Sequence, residues 1–490
     1  MSIIFATANQ LAQMIRDKKV SAVEILNAYL KQIEKHNVKL NAIATLDAKR
    51  AINKAKEADE ALARGENWGV LHGVPVTIKD ALETKGLLTT CNDKSLANYI
   101  PKQDAIAVER LRSVGAIIMA KTNCANLAGD HQTNCAVYGR ANNPWNLDYT
   151  PGGSTGGGAA AVAAGLSPLE LGSDGGGSIR QPAHCCGIFG LKPTDRLVPT
   201  LGHLPELPGY PRSIRHVLAI GALARCVEDL QLCLSVIAGA DSRQPEIPPV
   251  TLKKTTEKPL SSLRIAWTNE LGNLKVDEEI KSALTNFATQ LTEAGCRVEQ
   301  KIPQEFDCDL AWQTYGESYG QEILTAAPTI TWDNIMQALK MNYYKTRVHH
   351  QYKDSPLERG FLKAFPLDLN KYMKALTIRD HLIAQMDHFL ADWDAYLCPV
   401  SSITAFPHQA KGKPIEVNQI KLPYTTACGG YAILFNFTGH PVVVIPIGKS
   451  KAELPIGVQI VGKRWQDLEL LEIAQKISQI IGDFNQPSDY

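Results

Sequence analysis

PGGSTGGGAAAVAAGLSPLELGSDGGGSIRQPAHCCGIFGLKPT, residues 151–194, holds twelve of the chain's 36 glycines, all between Gly152 and Gly190. They fall mainly into two clusters, Gly152-Gly153-Ser154-Thr155-Gly156-Gly157-Gly158 and Ser173-Asp174-Gly175-Gly176-Gly177-Ser178-Ile179-Arg180. Each follows a break and precedes a run that reads as a short helix, so each offers unpaired backbone N–H groups and the positive end of a helix dipole. Glycine in such a turn lets a ligand approach the backbone closely. A phosphate loop is excluded, because GxxxxGKS/T needs a lysine that neither cluster carries. The dinucleotide pattern GxGxxG fails too, its last glycine falling on Arg180. Gly152 to Gly156 matches GxSxG, with Asp394 and His440 following in the order of an α/β-hydrolase triad. That elbow needs a buried strand running straight into it, whereas residues 144–151 are polar and contain two prolines. The plain alternative is that the glycines serve tight turns and helix packing alone.

Outward from this stretch, Ser21 and Glu24 have capping-box spacing, and Ile25, Leu26, Tyr29, Leu30 and Ile33 give one apolar face. This predicts a helix over about 21–36, and an Ala- and Lys-rich helix follows over about 47–64. The short apolar runs Val74 to Ile78, ending in Lys79-Asp80, and Ala116 to Ala120, ending in Lys121, predict buried strands. Residues 262–303 read as strand, helix over about 276–294 stopped by Gly295, and strand. Further strands are expected at Ala395 to Val400, Val442 to Pro446 and Ile456 to Val461, and Leu468, Leu471, Ile473, Ile477 and Ile480 mark a terminal helix. Strands and helices alternate throughout, which predicts an α/β fold with one large sheet. Seams are expected in the Pro- and Lys-rich 243–260 and the polar, aromatic 305–375.

Hydrophobic residues at 44% and charged residues at 21% exclude a disordered, collagen-like or disulfide-scaffold chain. Lys plus Arg (51) against Asp plus Glu (50) leaves +1, so no broad field favours nucleic acid or an anionic membrane. The N-terminus MSIIFATANQ lacks a basic flank with a sustained apolar run, and no stretch of about 18 apolar residues occurs, so a cytoplasmic, soluble chain is expected. Eleven cysteines without a CxxC pair point to reduced thiols, most of them in the core, Cys185 and Cys186 included. His349, His350, His381 and His388 show no HExxH or other metal spacing, so no metal site is expected.

The two clusters, taken with Lys79, resemble the amidase signature family. Its pattern GGSSGG…G(S/T)DxGGSIRxPAxxCGxxGLKPT is met by Gly152 to Gly157, Gly172 to Ala183 and Cys186 to Thr194. Gly73-Val74-Pro75-Val76-Thr77-Ile78-Lys79-Asp80 resembles its lysine motif, and Lys121-Thr122-Asn123, Tyr138-Gly139 and Asn143-Pro144-Trp145-Asn146 follow in its order. Phe435 to Pro441 and Pro455 to Gln459 are similar to its C-terminal strands. The motifs cover about 1–240 and 390–480 and leave 245–390 largely unmatched. The resemblance implies an amidase-signature fold, α/β, with one large mixed β-sheet core flanked by helices on both sides. It also implies a single catalytic domain over 1–490, in which 245–390 is a variable segment shaping the substrate pocket.

Residue by residue, the resemblance implies that Ser178 is the nucleophile, Ser154 the bridging serine and Lys79 the base, with the Gly153–Ser154 peptide cis. A serine hydroxyl is a weak nucleophile until a base takes its proton, and a lysine held neutral by burial is such a base. Backbone N–H groups of Gly175, Gly176, Gly177 and Ser178 would form the oxyanion hole, with Asp174 and Arg180 supporting the turn. Read singly, Lys79 would be a strand-end lysine reaching solvent and either serine a helix cap; the shared motif reverses this. Thr155, Gly158, Gly175, Ala125-Asn126 and Ala222 depart from the family pattern, and Gly175 is expected to enlarge or loosen the pocket beside the oxyanion turn.

The activity implied is amidohydrolysis of a carboxamide or N-acyl amide C–N bond through a Ser178 acyl-enzyme, acting on linear amides, with ester hydrolysis as a side activity and no cofactor. Two alternatives stand beside it: the glutaminase (A) subunit of a glutamyl-tRNA amidotransferase complex, and a catalytically silent amide-binding protein. The stretch Thr200 to Gly209 resembles stand-alone amidases and an SSLDQ-type segment is missing, which favours an independent enzyme. The partner expected is therefore a small-molecule amide, with no nucleic acid, no membrane, and a homodimer as the one assembly allowed. Trp312, Tyr315, Tyr319, Trp332, Tyr343 and Tyr344 are candidates for an acyl pocket, with core or surface packing as the alternative.

Overall fold

The apolar runs of the sequence lie side by side in one sheet. The computed structural model describes residues 3–209, 212–252, 258–326, 355–366, 368–482 and 484–490. In chain order its strands are β1 (Ile43–Leu46), β2 (Pro75–Lys79), β3 (Ile117–Thr122), β4 (Leu169–Asp174), β5 (Phe189–Lys192), β6 (Ala219–Ala224), β7 (Arg264–Trp267), β8 (Arg297–Gln300), β9 (Ala395–Pro399), β10 (Ile415–Val417), β11 (Ile420–Leu422), β12 (Val442–Lys449) and β13 (Pro455–Val461). Among the described residues eleven of them form a single sheet in the order β1-β3-β2-β4-β6-β5-β12-β13-β9-β7-β8, and β10 pairs with β11 apart from it. β2 runs parallel to β3 and β4, and β7 parallel to β8 and β9. The other pairings are antiparallel, so the sheet is mixed, as expected. Every residue of β2, β3, β4, β5, β6, β9 and β13 is buried. Helices cover both faces, which is why these segments read as short apolar runs rather than alternating ones. No helix of the described residues is long and apolar enough to cross a membrane.

Local signals set the helix ends. Ser21 Oγ accepts from Glu24 N–H, and the Glu24 carboxylate accepts from Ser21 N–H, so the capping box starts a helix over Ala22–Leu40 that buries Ile25, Leu26, Tyr29 and Ile33. It stops at Asn41, in the left-handed conformation. The expected seam in 305–375 is replaced, where it is described, by helices. The helix Cys308–Ala326 packs on Pro356–Lys363 and on Tyr424–Phe437. It buries Thr314, Ser318, Gln321 and Glu322 along with Ala311, Trp312 and Tyr315. An inward face that carries so many polar groups leaves no apolar period in the sequence, which is why it reads as a loop.

The topology places the two glycine clusters. Because β2 and β4 are parallel neighbours, with Thr77 beside Glu170 and Ile78 beside Leu171, their carboxyl ends emerge at the same sheet edge. Lys79 ends one, and the turn after Asp174 ends the other. The first cluster opens the helix Gly156–Ala163, every residue of which is buried against this part of the sheet.

Gly158 owes its identity to that packing. A Cβ there would lie 2.5 Å from Glu170 Oε1 and 2.6 Å from its Cδ. Glu170 is itself fully buried and accepts from Thr122 Oγ1 at 2.5 Å. The departure at 158 is therefore matched by a large side chain on the facing strand. Gly158→Ser is expected to lower stability by about 1–3 kcal/mol through overpacking, and Gly158→Ser with Glu170→Ala to regain most of it. Urea unfolding of the two variants checks this, and simple addition of the single-mutant losses would count against the pairing.

Candidate active site

Lys79 is fully buried, not a strand-end lysine in solvent. Its Nζ lies 2.7 Å from Ser154 Oγ, 2.9 Å from Ser173 Oγ and 3.3 Å from the Ser173 carbonyl. Burial pushes its ammonium below the ordinary lysine range, against the opposing pull of Cys124, Cys91, Asp174 and Glu170. Lys121, at the end of β3, is equally buried, and burial lowers it to about 8. It is held by Leu82 O, Thr84 Oγ1 and Thr89 Oγ1 and sits 3.9 Å from Asp80, so its partners include no serine. Of the two strand-end lysines, only Lys79 addresses a glycine cluster.

Neither serine caps its helix: the caps are Thr155 and Ile179. The Gly153–Ser154 peptide is cis. Thr155 N–H donates to Ser178 O at 3.1 Å, Thr155 Oγ1 to Ser173 O at 3.3 Å, and Gly153 N–H to Gln181 Oε1 at 2.9 Å, so the two turns are tied together. Ser178 is half-buried and lines the same cavity as Ser154, and among the described residues its hydroxyl has no hydrogen-bond partner. Gly177, at φ +103°, donates its N–H to Asp174 Oδ1 at 2.8 Å. The donors left free in the turn, among the described residues, are Gly175, Gly176 and Ser178. Gly177 is thereby moved from the expected set of oxyanion donors to shaping the turn.

Asp174 and Arg180 are both fully buried. Arg180 Nε and Nη2 donate to Asp174 Oδ2 and Oδ1 at 3.0 and 2.9 Å, and Ile179 N–H donates to Oδ2 at 3.0 Å. Asn436 Nδ2 donates to Asp174 Oδ1 at 2.9 Å, and Arg180 Nη1 donates to Ala432 O at 2.9 Å and Gln459 Oε1 at 2.7 Å. Burial by itself would raise the Asp174 carboxyl. The Arg180 charge and the hydrogen bonds outweigh it and hold the carboxyl well below the usual range.

The cavity has a volume of about 510 Å³ and is lined by Ser154, Ser173, Gly175, Gly176, Ser178 and His203 at the reacting end. Ile214, Leu218, Tyr315, Tyr319, Ile323, Phe361 and Ile433 form an apolar wall, and Asp130, His131, Lys411 and Tyr424 a polar one. Tyr315 Oη donates to Gly175 O at 2.8 Å, and a Cβ on Gly175 would lie 3.2 Å from Tyr319 Oη. The room left by Gly175 is thus occupied by Tyr319, and the expectation of an enlarged or loosened pocket is corrected. Of the aromatic candidates, Tyr315 and Tyr319 reach the cavity, while Trp312 is packing, its Nε1 on Gly430 O at 2.8 Å. Trp332, Tyr343, Tyr344, His349 and His350 lie outside the described residues. Cys185 and Cys186 are buried free thiols.

The GxSxG reading fails on geometry. No strand feeds Ser154; His440 is bonded to Asp387 (3.0 Å) and Thr438 (2.9 Å), and Asp394 accepts from Lys258 (2.7 Å) and Arg264 N–H (2.8 Å). Sequence reasoning missed Ser173 and His203, whose contacts exist only once β4 and the 200–209 loop meet. A polar residue just before Asp174 on an otherwise apolar strand is the one signal that pointed to Ser173.

A family model described as Amidase matches residues 24–471. The chain is a member of the amidase family. The match runs through 245–390, which the motifs alone leave unmatched. The A subunit of the glutamyl-tRNA(Gln) amidotransferase of Lachnospira eligens is 33% identical over 99% of this chain and 100% of its own length. The crystal structure of the corresponding A subunit from Thermotoga maritima superposes with a TM-score of 0.76 at 25% identity, covering 99% of this chain and 98% of that one. A 6-aminohexanoate cyclic dimer hydrolase complexed with substrate shares the fold, with a TM-score of 0.78 at 23% identity and 99% coverage of both chains.

These relatives overturn one expectation. A small-molecule amide as the sole partner, with no nucleic acid and at most a homodimer, does not fit end-to-end similarity to proteins named as one subunit of an enzyme acting on a tRNA. The reason is physical as well: a net charge near zero reports only the average field, and the short 200–209 segment used to favour independence lines this cavity through His203 and Pro205 rather than marking an assembly surface.

In this amidase the Asp174–Arg180 pair is expected to hold the turn. Asp174→Asn, which leaves Arg180 buried and uncompensated, should cost about 3–5 kcal/mol. A folded-state carboxyl pKa below the unfolded value stabilises above about pH 3.9 and is lost as pH falls further. Acid unfolding should therefore be less steep in the variant than in the wild type, read by circular dichroism.

Proposed function

We propose that this amidase hydrolyses a carboxamide through Ser178, and that it does so as the A-type subunit of a glutamyl-tRNA amidotransferase, with glutamine as the amide. Ser178 Oγ attacks the carbonyl carbon while Ser154 takes its proton and gives its own to the neutral Lys79 amine. The oxyanion is met by N–H groups of Gly175, Gly176 and Ser178, each such donor being worth about 2.7–4 kcal/mol of barrier. As the C–N bond breaks, the proton returns from Lys79 through Ser154 to the leaving amine, and water then hydrolyses the acyl-enzyme. The arrangement of Lys79 on Ser154 at 2.7 Å, beside a free Ser178 hydroxyl, supports this order.

The observation that carries the assignment to an amidotransferase is the 33% identity along the whole length of its A subunit. The cavity supports glutamine independently. Asp130, whose carboxylate accepts from Tyr424 Oη at 2.6 Å, and Lys411, whose Nζ donates to Gly129 O at 2.8 Å, put opposite charges on its polar wall. An amino-acid amide carries an ammonium and a carboxylate for these two to meet, and the apolar wall takes its methylenes.

Ammonia release from glutamine by the full chain, assembled with the remaining subunits of a glutamyl-tRNA(Gln) amidotransferase, is the test. Turnover by the wild type and none by Ser178→Ala is expected; no glutamine turnover in the assembly, with brisk turnover of anilides by the chain alone, would overturn it. Acylation should rise with pH through an apparent pKa below the ordinary lysine value of 10.5, since the base acts only after losing its proton. Asp130→Asn and Lys411→Met should each raise KM for glutamine about tenfold or more, the loss of a charged hydrogen bond being about 1.5–3 kcal/mol, and leave turnover of a simple primary amide unchanged.

A further inference from the structure

His203 comes from the loop that follows the Pro193-Thr194 end of the glycine-rich stretch, and it is 4% exposed. Its Nε2 lies 2.8 Å from Ser173 Oγ, which in turn lies 2.9 Å from Lys79 Nζ. These contacts form an unbroken line from the cavity wall, where His203 stands, to the lysine that faces Ser154. The proton relay from Ser178 through Ser154 to Lys79 uses neither Ser173 nor His203.

Counting protons gives the line a direction. A neutral lysine amine has two N–H donors and one lone pair, and here it has three neighbours. The Ser173 carbonyl only accepts, so it takes one N–H. The other N–H and the lone pair must be divided between Ser173 Oγ and Ser154 Oγ. If the Ser173 hydroxyl points its hydrogen at Lys79, the lone pair is spent there and Ser154 receives an N–H, which leaves Lys79 unable to take the Ser154 proton. If the Ser173 hydrogen points away, Ser173 accepts from Lys79 and the lone pair faces Ser154. A hydroxyl has one hydrogen, and the acceptor that draws it away is the bare Nε2 of a neutral His203. When Lys79 is protonated, its three N–H groups match the same three oxygens, and Ser173 again donates to His203, so the line keeps its direction through the catalytic cycle.

We propose that His203 is a positioning residue which, by accepting the Ser173 hydroxyl hydrogen at Nε2, aims the Lys79 lone pair at Ser154. This deepens the reading of Lys79 as the base and rests on it. Burial, reinforced by the Lys79 charge, holds the imidazole neutral by lowering it to about 3, so it stays an acceptor across the working pH range. The other groups bearing on Lys79, namely Cys124, Cys91, Asp174 and Glu170, are carried by other segments and stay in place when His203 is changed.

The test compares His203→Leu, His203→Gln, Ser173→Ala and the Leu/Ala double variant in the full chain, with thermal melts to show that each is folded. The readout is the maximal rate and half-saturating concentration for labelling by a fluorophosphonate. His203→Leu should slow maximal labelling by roughly 10- to 100-fold, the size typical of groups that orient a reactive one, with the half-saturating concentration unchanged. His203→Gln, whose side-chain carbonyl restores an acceptor, should recover most of the rate. The double variant should be no slower than the slower single variant, because both act on one hydrogen bond line. The proposal is overturned by an undiminished rate in His203→Leu, by equal impairment in His203→Gln, or by losses that multiply, and a change confined to half-saturation would make His203 a wall of the cavity only. Labelling of Ser178→Ala as fast as the wild type would instead strike the reading of the site itself, which keeps the two failures apart.

Discussion

The buried pair of Asp174 and Arg180 is the constraint on which the rest of the site depends. One carboxylate ends β4, receives N–H groups from the turn and the following helix, and binds a guanidinium that reaches Ala432 and Gln459, residues from the last quarter of the chain. Taking both charges out of water is costly, and the cost is offset only because nearly every lone pair and N–H is met. The turn bearing Ser178 is therefore anchored to the sheet on one side and to the helix Tyr424–Phe437 on the other. Its three free N–H groups point at the cavity because the fourth is held by Asp174.

A second constraint is dryness. Lys79 ends a strand whose every residue is buried, and this low-dielectric setting is what turns an ordinary ammonium into a base. The same packing brings Glu170 beneath Gly158 and Thr155 between the two turns, so the departures from the family pattern are compensations within one layer of the fold. Tyr319 over Gly175 is another. A glycine substituted for a larger residue made no void, since a neighbouring side chain fills the space.

Much of the fold was legible because its signals are local. Capping at Ser21, the buried runs of β2 and β3, and the strand-helix-strand unit near 262–303 depend on residues within a turn or two of one another. The helix Cys308–Ala326 was not legible, because polar side chains share its buried face and erase the period. Gly177 was misassigned for a related reason: a glycine at a turn looks the same whether its N–H is free or is taken by a carboxylate three residues back. The partner expectation failed because assembly is a property of surfaces, and short motifs around a catalytic turn sample none of them.

By itself, then, the sequence determined the family, the sheet, and the trio Lys79, Ser154 and Ser178 as candidates, since each is written in consecutive residues whose backbone needs are strict. Only the tertiary structure decided what surrounds that trio. Ser173 meets Lys79 across 94 residues of chain, His203 meets Ser173 across 30, and Asp130 meets Tyr424 across 294. Proton direction, base strength and the charges of the cavity all arise from such contacts, and no local pattern encodes a hydrogen bond between segments that meet only when the sheet has formed.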